Sequence, residues 1–310
     1  MRRVFYLFLA VAFLTGCQAC VSRSDTWKPE PASKSQIILL GTGTPNAEPD
    51  RSGPAAAIVV NGISYIVDCG PGVVRRAQGA YEKYGIEALK ACNLRRLFIT
   101  HLHTDHTLGY PDLIFTCWVL ELEETLEVYG PPGTGEMTEH LLEAYKEDIE
   151  VRLGGLEPAN AEGYKVNIHE IKGGYIYEDE NVKVKAFRVK HGAWDYAFGY
   201  RFETPGRVIV ISGDRAPVPD IAEEAKGCDV LIHEVYSVKG FQGREKIWQD
   251  YHRGAHTSSV EVGELAKRVQ PGLVILTHQL LWGATPEELL EEIRQVYDGK
   301  VVSGKDLDIY

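Results

Sequence analysis

The sequence predicts an α/β protein, and two features of the chain lead to this class. Short runs of β-branched residues alternate with longer amphipathic segments, a pattern typical of strands and helices packed in layers. Of the 310 residues, 44% are hydrophobic and 25% are charged, which is ordinary globular composition. This length fits one large domain or two smaller ones, and it supplies enough apolar material for a core without cross-links.

The individual elements follow from these patterns. Nine segments are predicted as strands: Ile37–Leu40, Ala56–Val60, Ser64–Val67, Arg96–Thr100, Leu126–Tyr129, Val182–Val189, Val208–Ser212, Val230–His233 and Leu273–Thr277. Six segments are predicted as helices: Gly72–Lys83, Pro111–Leu120, Gly135–Tyr145, Asp220–Ala225, Ser258–Val269 and Pro286–Tyr297. The last two helices begin where hydroxyl side chains precede acidic residues, which is typical of helix starts.

The N-terminus has the pattern of an export signal rather than of a folded element. Two arginines precede the apolar run Val4–Leu14, which has the length of a signal-peptide core and is short for a membrane span. The run ends in Leu14-Thr15-Gly16-Cys17, which resembles a bacterial lipobox with the lipid on Cys17. Residues 1–16 are therefore predicted as a lipoprotein signal peptide and 17–35, rich in Ser, Pro, Lys and Glu, as a flexible tether. The expected location is the bacterial cell envelope, lipid-anchored and extracytoplasmic.

Charge and cysteine content limit the partners. The net charge is −11 and the lysines and arginines form no dense basic stretch, so we expect no binding of duplex nucleic acid, although a local metal site can still hold a small anionic substrate. Cys17 and Cys20 are three positions apart but straddle the predicted lipid site. The cysteines besides Cys17 form no CxxC pair with one another, and they are Cys20, Cys69, Cys92, Cys117 and Cys228. The last four stand in apolar surroundings that favour buried thiols, but the sequence leaves the disulfide state and the oligomeric state, including a homodimer, open.

Four predicted strands lead into a histidine or an aspartate. His101 and His191 directly follow apolar runs, Asp214 follows Val208–Ser212 after one glycine, and His278 follows Val274–Thr277. Because loops converge at one end of the strands in α/β sheets, such residues are expected to meet there.

A dense cluster, His101-Leu102-His103-Thr104-Asp105-His106, contains the first of these histidines. In an extended segment alternate side chains share a face, so His101 and His103 can coordinate the same metal ion. Asp105 and His106 follow in a turn and can point at a second ion. Together with the three distant residues, this cluster predicts a metal site.

This pattern resembles the metallo-β-lactamase superfamily, whose signature is His-x-His-x-Asp-His, and the resemblance extends over residues 36–310. It includes Leu40-Gly41-Thr42-Gly43-Thr44-Pro45 and Val67-Asp68-Cys69-Gly70. It implies an αββα sandwich, with two facing β-sheets, helices outside and metals at one edge. It also implies two Zn²⁺ ions, with Mn²⁺ or Fe²⁺ as alternatives. On the family pattern the residues are assigned as follows: His101, His103 and His191 to one ion; Asp105, His106 and His278 to the other; Asp214 to both; and Asp68 to the support of the ligands.

Within the superfamily the chain is most similar to the ribonuclease Z-like branch, which includes phosphodiesterases and metal-dependent arylsulfatases. The matching segments are Phe198-Gly199-Tyr200-Arg201, Ile232-His233-Glu234 and His256-Thr257-Ser258. The resemblance implies that Glu234 orients His256 and that His256 protonates the leaving oxygen or holds the anionic centre. In the mechanism predicted from these residues, Asp105 both binds metal and accepts a proton.

The function predicted from these residues is hydrolysis of a small phosphate or sulfate ester by a hydroxide shared between two zinc ions. Transfer-RNA enzymes of this branch insert a long basic arm after the histidine matching His191, whereas only 22 residues separate His191 from Asp214. The prediction therefore disfavours a ribonuclease Z-type tRNA 3′ endonuclease. A lactonase or β-lactamase-type hydrolase and a non-catalytic zinc-binding lipoprotein remain as alternatives.

The aromatic residues near the predicted ligands suggest a substrate pocket. Trp194 and Trp282 closely follow His191 and His278, so both are predicted to line it. Phe241–Tyr251 is predicted as a lid or an interface loop. The role of His252 is left open, with a place beside the mouth of the pocket suggested by its position four residues before His256.

Overall fold

The computed structural model describes residues 35–219 and 221–310. The predicted signal peptide and almost all of the predicted tether therefore lie outside the described residues. Ser35, placed at the end of the tether, is instead buried, and Arg207 Nε donates to its hydroxyl at 2.7 Å. The tether over residues 17–35 therefore stays a prediction, and the structure describes only its last residue.

The strands in the described residues form two mixed sheets. Their bounds are β1 Gln36–Gly41, β2 Ala55–Val60, β3 Ile63–Val67, β4 Arg96–Phe98, β5 Leu126–Gly130, β6 Val166–Glu170, β7 Gly174–Glu178, β8 Lys183–Arg188, β9 Phe198–Glu203, β10 Val208–Ile211, β11 Val230–Tyr236, β12 Leu273–Leu280 and β13 Val301–Ser303. The first sheet has the order β1-β2-β3-β4-β5-β6, and the second has the order β13-β12-β11-β10-β9-β8-β7.

The helices of the described residues lie mostly in the connections between strands. Their bounds are α1 Val73–Tyr84, α2 Thr104–Thr107, α3 Tyr110–Val119, α4 Thr134–Ala144, α5 Lys146–Gly154, α6 Ala222–Ala225, α7 Val238–Gln242, α8 Lys246–Ala255, α9 Ser259–Val269 and α10 Pro286–Arg294. Ser258 and Thr285 cap α9 and α10 in reciprocal capping boxes, which confirms the two predicted helix starts. None of the helices in this part of the chain is long and apolar enough to cross a bilayer.

Alternation along the strands divides the core into layers. In β1, Ile37 and Leu39 join the cluster between the two sheets, whereas Ile38 and Leu40 join the cluster under α1 and α3. On the outer face of the second sheet, Val274 packs with buried residues of α9 and α10. The helices thus cover the outside of two facing sheets, and the predicted αββα sandwich is confirmed.

An aromatic cluster fixes the spacing of the sheets next to the ligand-bearing loop. Phe98, the last residue of β4, stacks on Tyr129 with ring centroids 5.1 Å apart and makes edge contacts with Tyr200 and Phe202 of the facing sheet. Tyr200 also donates to the carbonyl oxygen of Ile99 at 2.6 Å. Because offset and edge-on rings pack with defined geometry, these contacts set the position from which residues 99–106 leave the sheet.

Candidate metal centre

The ends of strands from both sheets meet at one edge of the sandwich. His101 follows β4, His191 follows β8 and Asp214 follows β10, as predicted. His278 differs, because β12 continues past it to Leu280. Glu234 pairs with Thr277 and Val235 with Gln279, so His278 is an extra residue with φ 44°. Such a bulge turns a side chain out of the regular alternation, and here it turns His278 toward the other ligands.

The first cluster is made of three imidazole nitrogens. His103 Nδ1 lies 2.9 Å from His101 Nε2 and 3.0 Å from His191 Nε2. His191 Nδ1 lies 2.6 Å from the carbonyl oxygen of Ala255, which can only accept, so Nδ1 carries the proton and Nε2 presents its lone pair. Burial lowers the pKa of His103 and of His191 to about 4, so both rings are neutral at pH 7 and suited to hold a metal ion.

The second cluster combines carboxylates and imidazoles. His278 Nε2 lies 3.2 Å from Asp105 Oδ2 and 3.2 Å from Asp214 Oδ2. His106 Nε2 lies 3.5 and 3.4 Å from the same two oxygens. Since His101, His106 and Asp214 also lie within 4.8 Å of one another, Asp214 connects the two clusters.

Asp68 supports this arrangement from behind. Its Oδ2 lies 2.8 Å from His106 Nδ1 and accepts from the Thr100 hydroxyl at 2.9 Å, while Oδ1 accepts from the Thr100 backbone N–H at 2.8 Å. A proton on His106 Nδ1 leaves Nε2 as the atom that faces Asp105 and Asp214. A carboxylate holding the far side of a histidine is the usual support of a metal-binding imidazole.

The donor atoms fit a metal ion such as zinc. His106 Nε2 is buried and has no hydrogen-bond partner within the described residues. Burial opposes the charge of Asp214, but His278 and His106 outweigh it and hold its pKa well below the usual range. Burial likewise lowers the pKa of His106, yet Asp214 and Asp68 raise it well above the usual value. The buried carboxylates thus favour a positive charge beside them, which a bound cation would supply. Imidazole nitrogens and carboxylate oxygens are also the donors that zinc prefers.

Glu234 and His256 form a buried pair beside Asp214. His256 Nδ1 lies 3.1 Å from Glu234 Oε2, and the Thr257 backbone N–H donates to Glu234 Oε1 at 2.7 Å. Burial raises the pKa of Glu234 well above its usual value, and the negative charge of Asp214 adds to this. Burial also lowers the pKa of His256 to about 4. The carboxyl group of Glu234 therefore holds the imidazole ring of His256 in place. Both side chains are uncharged until a nearby anion favours protonation of the imidazole.

The predicted pocket residues lie in two different places. Trp194 lines an open cleft beside His103, and its indole nitrogen lies 2.8 Å from His103 Nε2. Trp282 packs with Tyr236 and Phe241, and its ring centroid lies 4.4 Å from that of the buried His252. Trp194 is thus at the mouth of the site, while Trp282 supports α8 from below.

Three further residues belong to this environment and were not predicted from the sequence as part of the site. Thr100 ties Asp68 to the ligand loop, and Tyr251 lines the cleft with Trp194. The Ala255 carbonyl fixes the proton of His191. Thr100 directly precedes the His-x-His cluster, so its position in the sequence could have indicated a role in the site. The contact of the Ala255 carbonyl depends only on the backbone, so no residue type in the sequence indicates it.

We expect Asp68→Asn to lower the zinc affinity of the protein by about 10- to 100-fold, because the amide no longer offers a carboxylate oxygen to both His106 and Thr100. Competition with a chromophoric chelator measures the affinity, and thermal unfolding of the metal-free protein reports the fold. An unchanged affinity in a normally folded variant would show that the ligands need no support from Asp68.

Comparisons with known proteins agree with this geometry. Residues 64–279 match the family described as β-lactamase superfamily domain. Ribonuclease Z of Mycobacterium marinum is 33% identical over 250 residues, which cover 78% of this chain and 85% of that protein. Ribonuclease Z of Mycobacterium bovis is 30% identical over 281 residues, which cover 88% and 96%.

Solved structures show the same fold. The metallo-β-lactamase fold protein YhfI from Bacillus subtilis has a TM-score of 0.70 at 17% identity, covering 90% of this chain and 99% of that one. The short form of human tRNase Z has a TM-score of 0.64 at 23% identity, covering 89% and 98%.

The comparisons also test the predicted location and substrate. Residues 1–18 match the prokaryotic membrane lipoprotein lipid attachment site, so the protein is lipid-anchored in the cell envelope, as predicted. The prediction of a small phosphate or sulfate ester as substrate is wrong, because the curated relatives are named ribonuclease Z. The arylsulfatase part of that prediction has no support among the relatives named above.

Proposed function

Because this chain belongs to the β-lactamase superfamily and is a metal-dependent hydrolase, we propose that it is a two-zinc phosphodiesterase of the ribonuclease Z type. It hydrolyses phosphodiester bonds of RNA that reach it in the cell envelope. The observation that carries the proposal is the identity of about a third with a ribonuclease Z over 85% of that protein's length. The convergence of two ligand clusters on Asp214, with the Glu234–His256 pair alongside, suits this reaction.

The roles of the residues follow from their positions. His101, His103 and His191 would hold one zinc ion, Asp105, His106 and His278 the other, and Asp214 both. The two ions would supply an acidified water and positive charge for the phosphodiester. Asp105 takes up a proton from the attacking water through its carboxylate.

Departure of the alcohol requires a proton at the leaving oxygen. Glu234 holds Nδ1 of His256, so Nε2 is left to face that oxygen. An anionic phosphate nearby raises the pKa of the imidazole, so His256 is protonated when the substrate is in place. His256 is thus the general acid and Glu234 the residue that positions it.

The charge of the protein affects how RNA binds. With a net charge of −11, attraction of the phosphate backbone has to come from the metal centre and a few local cations rather than from a broad basic surface. The expectation that duplex nucleic acid is not bound therefore stays a prediction, and single-stranded segments are the proposed substrates.

We expect the zinc-loaded, detergent-solubilised full-length protein to cleave a single-stranded oligoribonucleotide or a 3′-extended tRNA precursor. The matched His103→Ala variant is expected to lose this activity by about 10³-fold or more. The reason is that His103 Nδ1 lies against both other nitrogens of its cluster. Gel analysis of the products measures cleavage. Intact RNA alongside turnover of p-nitrophenyl sulfate would contradict the proposal.

A further inference from the structure

An open cleft of about 380 Å³ begins at the first ligand cluster. Its lining consists of His103, Gly192, Ala193, Trp194 and Tyr251. This volume lies near the lower end of the ~300–1,000 Å³ typical of small-molecule sites, which is enough for a group the size of a nucleotide. Since His103 belongs both to the cleft and to the candidate metal centre, whatever occupies the cleft lies next to the reacting phosphate.

Two of the five lining residues are aromatic, and each is in contact with a histidine of the site. The ring centroid of Trp194 lies 5.1 Å from that of His103, and the centroid of Tyr251 lies 6.3 Å from that of His256. Tyr251 is nevertheless 42% exposed. An aromatic ring that is fixed on one side and open on the other offers a surface for stacking.

The exposure extends along α8. Ile247 is 73% exposed and Trp248 is 46% exposed, and both lie on the same side of the helix as Tyr251. Apolar groups exposed together at the mouth of a site are unusual in a soluble domain and mark a contact with a ligand or partner.

The positively charged side chain of Arg244 lies beside the exposed face of α8. The Arg244 guanidinium lies 5.7 Å from the centroid of the Trp248 ring and 5.4 Å from that of Trp282. Among the described residues no carboxylate forms an ion pair with Arg244. A positive charge held over aromatic rings matches a ligand that combines flat bases with phosphates, which is the pattern of single-stranded nucleic acid sites.

Resting on the function proposed above, we propose that Trp194 and Tyr251 form a nucleobase-binding cleft that selects an unpaired nucleotide next to the scissile phosphate. Paired bases are already stacked inside a helix and present only their edges, so their faces are not free to stack on these rings. The cleft therefore restricts the substrate to single strands, loops and unpaired ends.

The test compares two oligoribonucleotides that differ only by the absence of the base next to the scissile bond. We expect the wild-type protein to prefer the intact oligonucleotide in kcat/KM by about tenfold or more, chiefly through KM. This preference falls to about twofold or less in Tyr251→Ala and in Trp194→Ala, while Tyr251→Phe keeps it. Val151→Ala, which truncates a 64% exposed apolar side chain on α5, outside the cleft lining, is the matched control and keeps the preference.

The outcomes separate this inference from the proposed function. If RNA is cleaved but Tyr251→Ala keeps the wild-type base preference, the cleft does not bind bases, and contact of α8 with the lipid surface becomes the explanation of its exposed face. If neither oligonucleotide is cleaved by the zinc-loaded protein, the proposed function fails and this inference fails with it.

Discussion

We expect Asp214→Ala to lower the bound zinc from two ions per chain to at most one and to reduce phosphodiester hydrolysis by more than about 10³-fold, or roughly 4 kcal/mol in the barrier. Asp214 Oδ2 lies 3.4 Å from His106 Nε2 and 3.2 Å from His278 Nε2, and the same residue forms a group with His101. Its removal takes a charge from both clusters at once. Metal analysis of the purified variant, together with its kcat/KM on an oligoribonucleotide, measures both effects.

The matched control is Asp298→Ala, which removes an exposed aspartate after α10. This variant is expected to keep two zinc ions and full activity, so that a loss in Asp214→Ala is not a consequence of net charge. Two tightly bound ions and normal turnover in Asp214→Ala would disprove the bridging role. If Asp214→Ala kept every activity, the turnover would not come from this metal centre, and the alternative of a zinc-binding lipoprotein without catalysis would be revived.

The fold was predictable from sequence where elements have a strong apolar signal. β2 and β11 are buried along their whole length, and both were predicted. The strands that were not predicted are of two kinds: β6, β7 and β13, which lie at or beside sheet edges and are half exposed, and β9. β9 alternates large buried side chains with Gly199, which breaks the β-branched pattern although the strand lies in the middle of the second sheet.

The helices around the cleft were missed for a related reason. α8 carries Ile247, Trp248 and Tyr251 on one side of the helix, at helical spacing, but this side is exposed rather than packed on the core. The segment Phe241–Tyr251 was predicted as a lid or an interface loop because it is rich in polar and aromatic residues. An apolar face that stays exposed departs from the pattern that packing alone would produce.

That the candidate ligands lie close together was predictable, because most of them follow strands that end at the same edge of the sandwich. What could not be predicted is the orientation of each ring. The proton of His191 depends on the carbonyl of Ala255, and the direction of His278 depends on a bulge between β11 and β12. Both are properties of the folded backbone that residue types do not encode locally.

The substrate was predicted wrongly because the prediction relied on an insertion that is missing. The residues between His191 and Asp214 form β9, β10 and the turns around them, so no arm projects from this part of the chain. The chemistry at the metal centre, however, is the same for a small ester and for an RNA phosphodiester. Relatives that match over most of the chain are therefore better guides to the class of substrate than one missing segment.

The general acid gives the second large effect. We expect His256→Ala to lower kcat on RNA by about 10²- to 10⁴-fold while the bound zinc stays at two ions per chain. His256 Nδ1 is held by Glu234, and its ring lies between Glu234 and the candidate metal centre. The ribose hydroxyl is a poor leaving group that needs a proton, whereas p-nitrophenolate leaves without one. Hydrolysis of bis-p-nitrophenyl phosphate is therefore expected to fall less than about tenfold in the same variant.

Glu234→Gln distinguishes positioning from acid catalysis. The amide oxygen still accepts from the Thr257 backbone N–H, so the NH2 group faces His256 Nδ1 and can only donate to it. The protonated imidazole loses its acceptor, so the loss on RNA is expected to be about tenfold or more and again smaller on the activated ester. His140→Ala, which removes an exposed histidine from α4, serves as the matched control and is expected to behave as wild type. An equal loss on both substrates in His256→Ala would mean that the residue shapes the site without donating the proton. The leaving oxygen would then take its proton from water, and the Glu234–His256 pair would act by holding β11 and the end of α8 beside the metal centre.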